Sequence, residues 1–258
     1  MRAKKYLGQN FLKSVAIVSR MVKSANVTAG DLVLEIGPGK GILTKALLQT
    51  GANVVAIEKD FELISHLYNK FATEIANKKL FVIHTDVLKL SVSEIFYDLS
   101  SLATRQYKLV ANIPYYITGE IIRKFLEEKN YPRSMTLLVQ KEVGRRIVAS
   151  DKKESILSLS VKIYGNPKYI ETVKRSMFTP APNVDSSVIH IENITKENLL
   201  KHNITAEKFF MVVKNGFAHK RKKLSGNLKG IVAPDVLENF KDKRAEDLAL
   251  SDWITLSK

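Results

Sequence analysis

The stretch Asn112-Ile113-Pro114-Tyr115-Tyr116 combines residue types suited to chemistry on the amino group of a planar substrate. It follows an apolar run, Leu109 to Ala111, that reads as a buried strand ending on Asn112. Asparagine offers a carbonyl acceptor and an amide donor, and the residue ahead of a proline is driven into an extended shape whose backbone carbonyl can point outward. Together they can grip an exocyclic amine. Tyr115 adds a ring able to lie flat on a nucleobase, since every base presents a π-face. The same pentapeptide also reads as an ordinary Asn-x-Pro turn. The elements around it decide between the two.

Those elements form a regular series. Asp31 to Ile36 (DLVLEI) is a buried-strand run, followed by the glycine turn Gly37-Pro38-Gly39-Lys40-Gly41 and a helical pattern through Ile42, Leu43, Ala46 and Leu47. Strand, glycine turn and helix open a Rossmann-like unit, in which Gly37 and Gly39 let the backbone approach a small ligand. A second strand, Asn53 to Ile57, ends on Glu58, which is placed to accept from both hydroxyls of a ribose or, alternatively, to pair with a nearby lysine. A third, Leu80 to His84, leads to Asp86, which can take an adenine amine or cap a helix starting there. The fourth strand, Lys108 to Ala111, leads to Asn112. All four features thus fall at the carboxyl ends of consecutive parallel strands, where open α/β sheets bind ligands.

A glycine turn followed by an acid also describes dinucleotide binding. Here the pattern is GxGxG rather than GxGxxG, and Pro38 removes a backbone N–H that a pyrophosphate cradle would use. S-adenosylmethionine, with ribose and adenine but no phosphate, fits better.

Further along, Glu120 to Glu128 and residues 156 to 163 read as helices, Ser134 to Val139 as a fifth strand, Tyr169 to Met177 as an alternating strand and Val188 to Ile191 as the last. Between these last two, Pro180 and Pro182 stiffen a loop that begins at Phe178. Phe178 either faces Tyr115 to make a slot for a flat base or anchors the loop in the core. From about Thr195 strand signals stop, and helical patterns carry Leu199, Phe209, Val213, Leu224 and Leu228. The expected organisation is an α/β domain over residues 1–194 and a small all-helical domain over 195–258. The latter holds Lys220-Arg221-Lys222-Lys223, either a solvated helix face or a phosphate contact.

Near the N-terminus, a basic lead with Arg2, Lys4 and Lys5 precedes Gly8-Gln9-Asn10-Phe11-Leu12 and an amphipathic helical stretch through Val15, Ile17, Val18, Met21 and Val22. Two amides and two apolar anchors in so short a space suit a lid over a small ligand.

Lysine and arginine number 41 against 26 acids, a net charge of +15, which favours a polyanionic partner, nucleic acid first. With no cysteine, disulfides, thiolate zinc sites and cysteine nucleophiles are excluded. The five histidines lack metal-ligand spacing, so no metal is expected. No apolar h-region and no run of spanning length is present, so a cytoplasmic protein without membrane contact is expected.

GQNFL (8–12), EIGPGKG (35–41), NIPYY (112–116), QKEVGRRI (140–147) and FTPAPNVDSSV (178–188) occur in this order. In this combination the chain resembles the KsgA-type small-subunit ribosomal RNA adenine dimethyltransferases, from about residue 5 to the end. The resemblance implies a class I methyltransferase domain with a mainly parallel seven-stranded sheet. It implies dimethylation at N6 of two adjacent adenosines near the 3′ end of 16S ribosomal RNA, within a pre-30S particle, contributing to small-subunit biogenesis; a monomer is expected. In that pattern Asn10 and Leu12 close over S-adenosylmethionine, Gly37 lines its methionine side, Glu58 holds the ribose and Asp86 the adenine amine. Asn112 and the Pro114 carbonyl hold the target amine, and Tyr115 and Phe178 stack on its base. Tyr116 stands where the family more often has asparagine. Rival readings are an Erm-type enzyme acting on 23S ribosomal RNA, against which stand VDSS and QKEVGRRI, and a ribosome-assembly factor without catalysis, against which stands the intact set Gly37, Glu58, Asp86 and Asn112.

Overall fold

The structure is a computed structural model and describes residues 3–98, 106–219 and 221–258. Nine strands form among the described residues: β1 (Phe11–Leu12), β2 (Leu32–Ile36), β3 (Asn53–Glu58), β4 (Leu80–His84), β5 (Tyr107–Asn112), β6 (Ser134–Gln140), β7 (Asn166–Val173), β8 (Phe178–Thr179) and β9 (Ser186–Glu192). Seven make one sheet in the order β4-β3-β2-β5-β6-β9-β7, and β1 pairs antiparallel with β8. Neighbours from β4 through β6 are parallel, and β9 runs antiparallel to β6.

Burial explains the order. All five residues of β2 are buried, as in a central strand covered by helices on both faces, whereas β7 at one edge alternates exposed and half-buried positions. The chain steps outward from β2 through β3 to β4, then returns to add β5 on the other side. A topological switch point therefore lies between the carboxyl ends of β2 and β5. Register aligns Ile36 with both Ile57 and Ala111, so the residues just beyond these strands emerge together.

Local sequence starts the helices. Ser14 accepts the Ile17 amide and begins Val15–Ser24, which buries Ile17, Val18, Met21 and Val22. Asp60 accepts the Glu62 amide and begins Phe61–Lys70. At Gly41 φ is +74°, and an added Cβ would lie 2.5 Å from the Phe71 ring, so only glycine fits where the turn enters Ile42–Gln49.

One expected strand is shorter and earlier than its alternation suggested. β7 ends at Val173, and Arg175–Met177 is a 3₁₀ turn closed by the Met177 amide on the Lys174 carbonyl. The turn brings Phe178–Thr179 back beside Phe11–Leu12.

The chain divides into two compact units, Met1–Gly144 with Lys168–Ile194, and Arg145–Pro167 with Thr195–Lys258. The helical unit thus recruits a segment that a linear boundary after residue 194 assigns to the sheet. Side chains of that segment pack within the second unit, where Tyr164 meets Phe210 with ring centroids 6.4 Å apart. Its core also stacks Phe217 on Trp253 at 5.4 Å, and Gly216 leaves room for the Trp253 ring, which an added Cβ would meet at 2.4 Å. No helix among the described residues is long and apolar enough to cross a membrane.

Candidate functional site

A cavity opens at the switch point, lined by the glycine turn, the ends of β3 and β5, the segment after β4 and the N-terminal residues 7–12. Of the residues singled out from sequence, it gathers Asn10, Leu12, Gly37, Gly39, Glu58, Asp86, Asn112, Pro114 and Tyr115.

Glu58 is buried, and its carboxylate accepts three backbone amides: Lys59 and Asp60, both at 2.9 Å, and Gly39 at 3.2 Å. These bonds tie the end of β3 to the glycine turn. Burial pushes its carboxyl above the ordinary range, opposed by the same amides. The lysine pairing considered from sequence is not found among the described residues. Asp86 takes that role instead: Lys59 Nζ lies 2.9 Å from its Oδ2 and holds its carboxyl below the usual range, while Oδ1 accepts the Leu88 amide at 3.0 Å. The turn at 87–89 is not the start of a helix, so Asp86 caps a turn.

The N-terminal segment forms a strap over the opening. Lys4 Nζ and Gln9 Nε2 each reach Asp60 at 2.7 Å, β1 pairs with β8, and the Lys13 amide bonds the Met177 carbonyl at 2.9 Å. At its middle, Asn112 Nδ2 donates to the Asn10 carbonyl at 3.2 Å. That bond orients the Asn112 amide, and Oδ1 remains as its acceptor.

Tyr115 is half-buried, with its hydroxyl 2.5 Å from Ser186 Oγ at the start of β9, so the ring is pinned at both ends. Burial raises its phenol above the ordinary range. The Pro114 carbonyl accepts the Ile117 amide at 3.3 Å and keeps one lone pair. Tyr116 is 59% exposed at the mouth, and its ring would touch a Cβ added at Gly8 at 3.0 Å.

Two expectations are corrected. Phe178 is 2% exposed, belongs to the apolar core with Leu12 and Val188, and does not line the cavity; its place in β8 beside β1 makes it the core anchor of its loop, not one wall of a slot. In the basic run, Lys220 lies outside the described residues. Arg221, Lys222 and Lys223 are exposed and precede Leu224–Asn227 rather than forming a helix face, and Lys223 is paired with Asp242 at 2.6 Å.

Sequence reasoning missed Glu35. Its side chain is 1% exposed, lines the cavity and has neither carboxylate oxygen hydrogen-bonded. The available signal was an acid inside the otherwise apolar run of β2. Ser186, which sets the Tyr115 ring, was visible only as part of a motif.

The cavity is lined by Glu35, Glu58 and Asp86 together with Lys40 and Lys59, the latter paired with Asp86, in a protein of net charge +15. Carboxyl groups at this edge can accept from hydroxyl and amine donors of a small ligand, while the surplus of cations over the whole chain suits a polyanion. Among the described residues no group of acidic or histidine side chains could hold a metal ion.

Comparison with known proteins gives the family. The chain is 37% identical over 262 residues to the ribosomal RNA small subunit methyltransferase A of Dehalococcoides mccartyi strain BAV1, covering 98% of this chain and 87% of that one. It is 38% identical to the protein of the same name from Clostridium acetobutylicum, covering 99% and 93%. A dimethyladenosine transferase from Plasmodium falciparum superposes with a TM-score of 0.80 at 26% identity over 95% of both chains. The 23S rRNA methyltransferase ErmE superposes at 0.76 with 22% identity over 96% of this chain and 98% of its own, which speaks for the shared fold. The family model described as ribosomal RNA adenine dimethylase matches residues 1–257, and the chain belongs to that family.

Proposed function

We propose that the protein transfers methyl groups from S-adenosylmethionine to N6 of two adjacent adenosines near the 3′ end of small-subunit ribosomal RNA, acting as a monomer on a pre-30S particle. The observation that carries this reading is the fixed amide of Asn112 on the wall of the cavity, beside the pinned ring of Tyr115. The names of the relatives, small-subunit methyltransferases and a dimethyladenosine transferase, support the substrate.

The residues fit the cofactor. Glu58, already held by three backbone amides, retains about one acceptor site, on Oε2, for a ribose hydroxyl, and Asp86 at the rim suits an amine donor. Gly37 lines the cavity at the switch point with φ +65°, a left-handed conformation that favours glycine. Asn10 and Leu12 in the strap close the remaining side. When bound, the cofactor supplies a methyl group already activated by a sulfonium.

An adenine amine is a poor nucleophile because its lone pair is delocalised into the ring. Asn112 Oδ1 and the Pro114 carbonyl, accepting its hydrogens, favour a pyramidal nitrogen with the lone pair aimed at the methyl. Holding that geometry supplies several kcal/mol of barrier reduction. A strong general base is unnecessary, because the proton can leave after attack. The base must be unpaired or flipped out to reach the site, and Tyr115 gives it a face to stack on. Arg221 and Lys222 are exposed cations for RNA phosphates.

Labelled S-adenosylmethionine with 30S particles lacking the modification tests the reading. Label must enter the small-subunit RNA, and cofactor binding without any transfer would overturn it.

A further inference from the structure

Glu35 stands out among the buried ionisable groups. It is the only acid in β2, aligned with Ala56 on one side and Val110 on the other, and it lines the cavity from beneath the glycine turn. Neither of its oxygens has a hydrogen-bond partner, and the buried Thr44 Oγ1 of the adjoining Ile42–Gln49 helix lacks one too. Thr44 lies beside Glu35 without reaching hydrogen-bond geometry. A buried carboxylate with no partner costs several kcal/mol, and the ordinary escape is to keep its proton. Burial accordingly pushes Glu35 up from 4.5 to about 8, against the pull of Thr44.

The surrounding charges do not relieve it. From β3 and its continuation come Glu58, which disfavours a second anion, and Asp60, which is engaged by Lys4 and Gln9. Lys45 on the helix is exposed, Lys40 of the glycine turn sits over the Phe11 ring at 5.1 Å, and Lys59 is committed to Asp86. β5 presents Val110 and the neutral Asn112, and its buried Lys108 is engaged by Asp31 at 2.8 Å. The cavity therefore holds an acid that lacks a cation, within a fold that otherwise has cations in excess.

We propose that Glu35 is a proton-exchanging member of the cofactor site: it keeps its proton in the free protein and releases it when cationic S-adenosylmethionine enters, so that binding and proton release are coupled. This rests on the cofactor reading given above. The cofactor brings positive charge into the cavity, and the ionised carboxylate offsets it there. An empty site thus avoids a bare buried anion, and a filled one avoids a bare buried cation. Affinity should rise with pH up to about 8 and level off above it, by up to about tenfold per pH unit.

The test is calorimetric titration of the wild-type protein and Glu35→Gln with S-adenosylmethionine, across pH and in buffers of different ionisation enthalpy. The α-amine of the ligand titrates in the same range, and Glu58 is also raised, so the quantity read is the difference between the two proteins. Near pH 7 the wild type should release about one proton more per cofactor than the variant, and its affinity should depend more steeply on pH. Equal proton release with parallel pH profiles would overturn the inference while leaving the cofactor reading intact. No binding by the wild type at any pH would overturn both. The substitution removes a charge and keeps the shape, and thermal unfolding of the variant confirms that the titrated protein is folded.

Discussion

Asn112 and Asn10, 102 residues apart in sequence, are joined by a hydrogen bond from the side-chain amide of the first to the backbone carbonyl of the second at 3.2 Å. The residue proposed to hold the substrate amine is thereby oriented by the N-terminal strap proposed to close over the cofactor. Asn112→Ala should lower methyl transfer by about a hundredfold or more, the scale for losing one preorganised polar contact to a reacting group. Cofactor binding should weaken too, through the strap, while thermal unfolding stays close to wild type. Turnover within a few fold of wild type would contradict the assignment.

Phe178 tests the corrected role of its loop. In the core, Phe178→Ala should cost about 3–5 kcal/mol of stability, and Phe178→Leu much less. Transfer by the folded Leu variant should remain near wild type. If Phe178 stacked on substrate, the Leu variant would fold normally and lose turnover or raise KM, and steady-state kinetics beside denaturant unfolding separates the two.

Glu35 also sets a pH dependence of stability in the free protein. Its folded-state pKa of about 8 lies above its ordinary 4.5, so the folded state holds a proton that the unfolded chain gives up. The stability contribution is fully present below about 4.5 and is lost as pH rises toward about 8. Glu35→Gln, which cannot ionise, should therefore gain stability over the wild type progressively across that window and level off above it. Denaturant midpoints at several pH values measure this, and a constant offset would contradict it.

The basic run makes a narrower prediction than its composition suggested. Since Lys223 is paired with Asp242, the cations to change are Arg221 and Lys222. Arg221→Glu with Lys222→Glu should weaken RNA binding and make its salt dependence shallower by about one to two phosphate contacts, leaving affinity for S-adenosylmethionine unchanged. An unchanged salt slope would return the run to a solvated surface.

Most of the fold and half of the site were legible because both rest on local rules. Apolar runs of strand length, each ending on a glycine turn, an acid or Asn112, describe a parallel sheet whose carboxyl edge binds the ligand, and the register of β2, β3 and β5 brings those ends together. Misreadings arose where distant partners decide. Phe178 beside two prolines looks like a presented ring, and only the pairing of β8 with β1 buries it. The alternation from Tyr169 to Met177 is real, but the chain must turn at Arg175–Met177 to make that pairing. Residues 145–167 join the helical unit through contacts such as Tyr164 with Phe210, which have no local signature. Glu35 was passed over because a single acid in an apolar strand reads as noise until the strand is seen to carry it into a cavity.

The most direct test of the central claim is nucleoside analysis after methyl transfer from labelled S-adenosylmethionine, with unmodified 30S particles, 50S particles and duplex DNA as parallel substrates. The account predicts N6,N6-dimethyladenosine at adjacent positions in small-subunit RNA alone. Label in 50S RNA or DNA, a different methylated nucleoside, or cofactor bound without transfer to any substrate would contradict it.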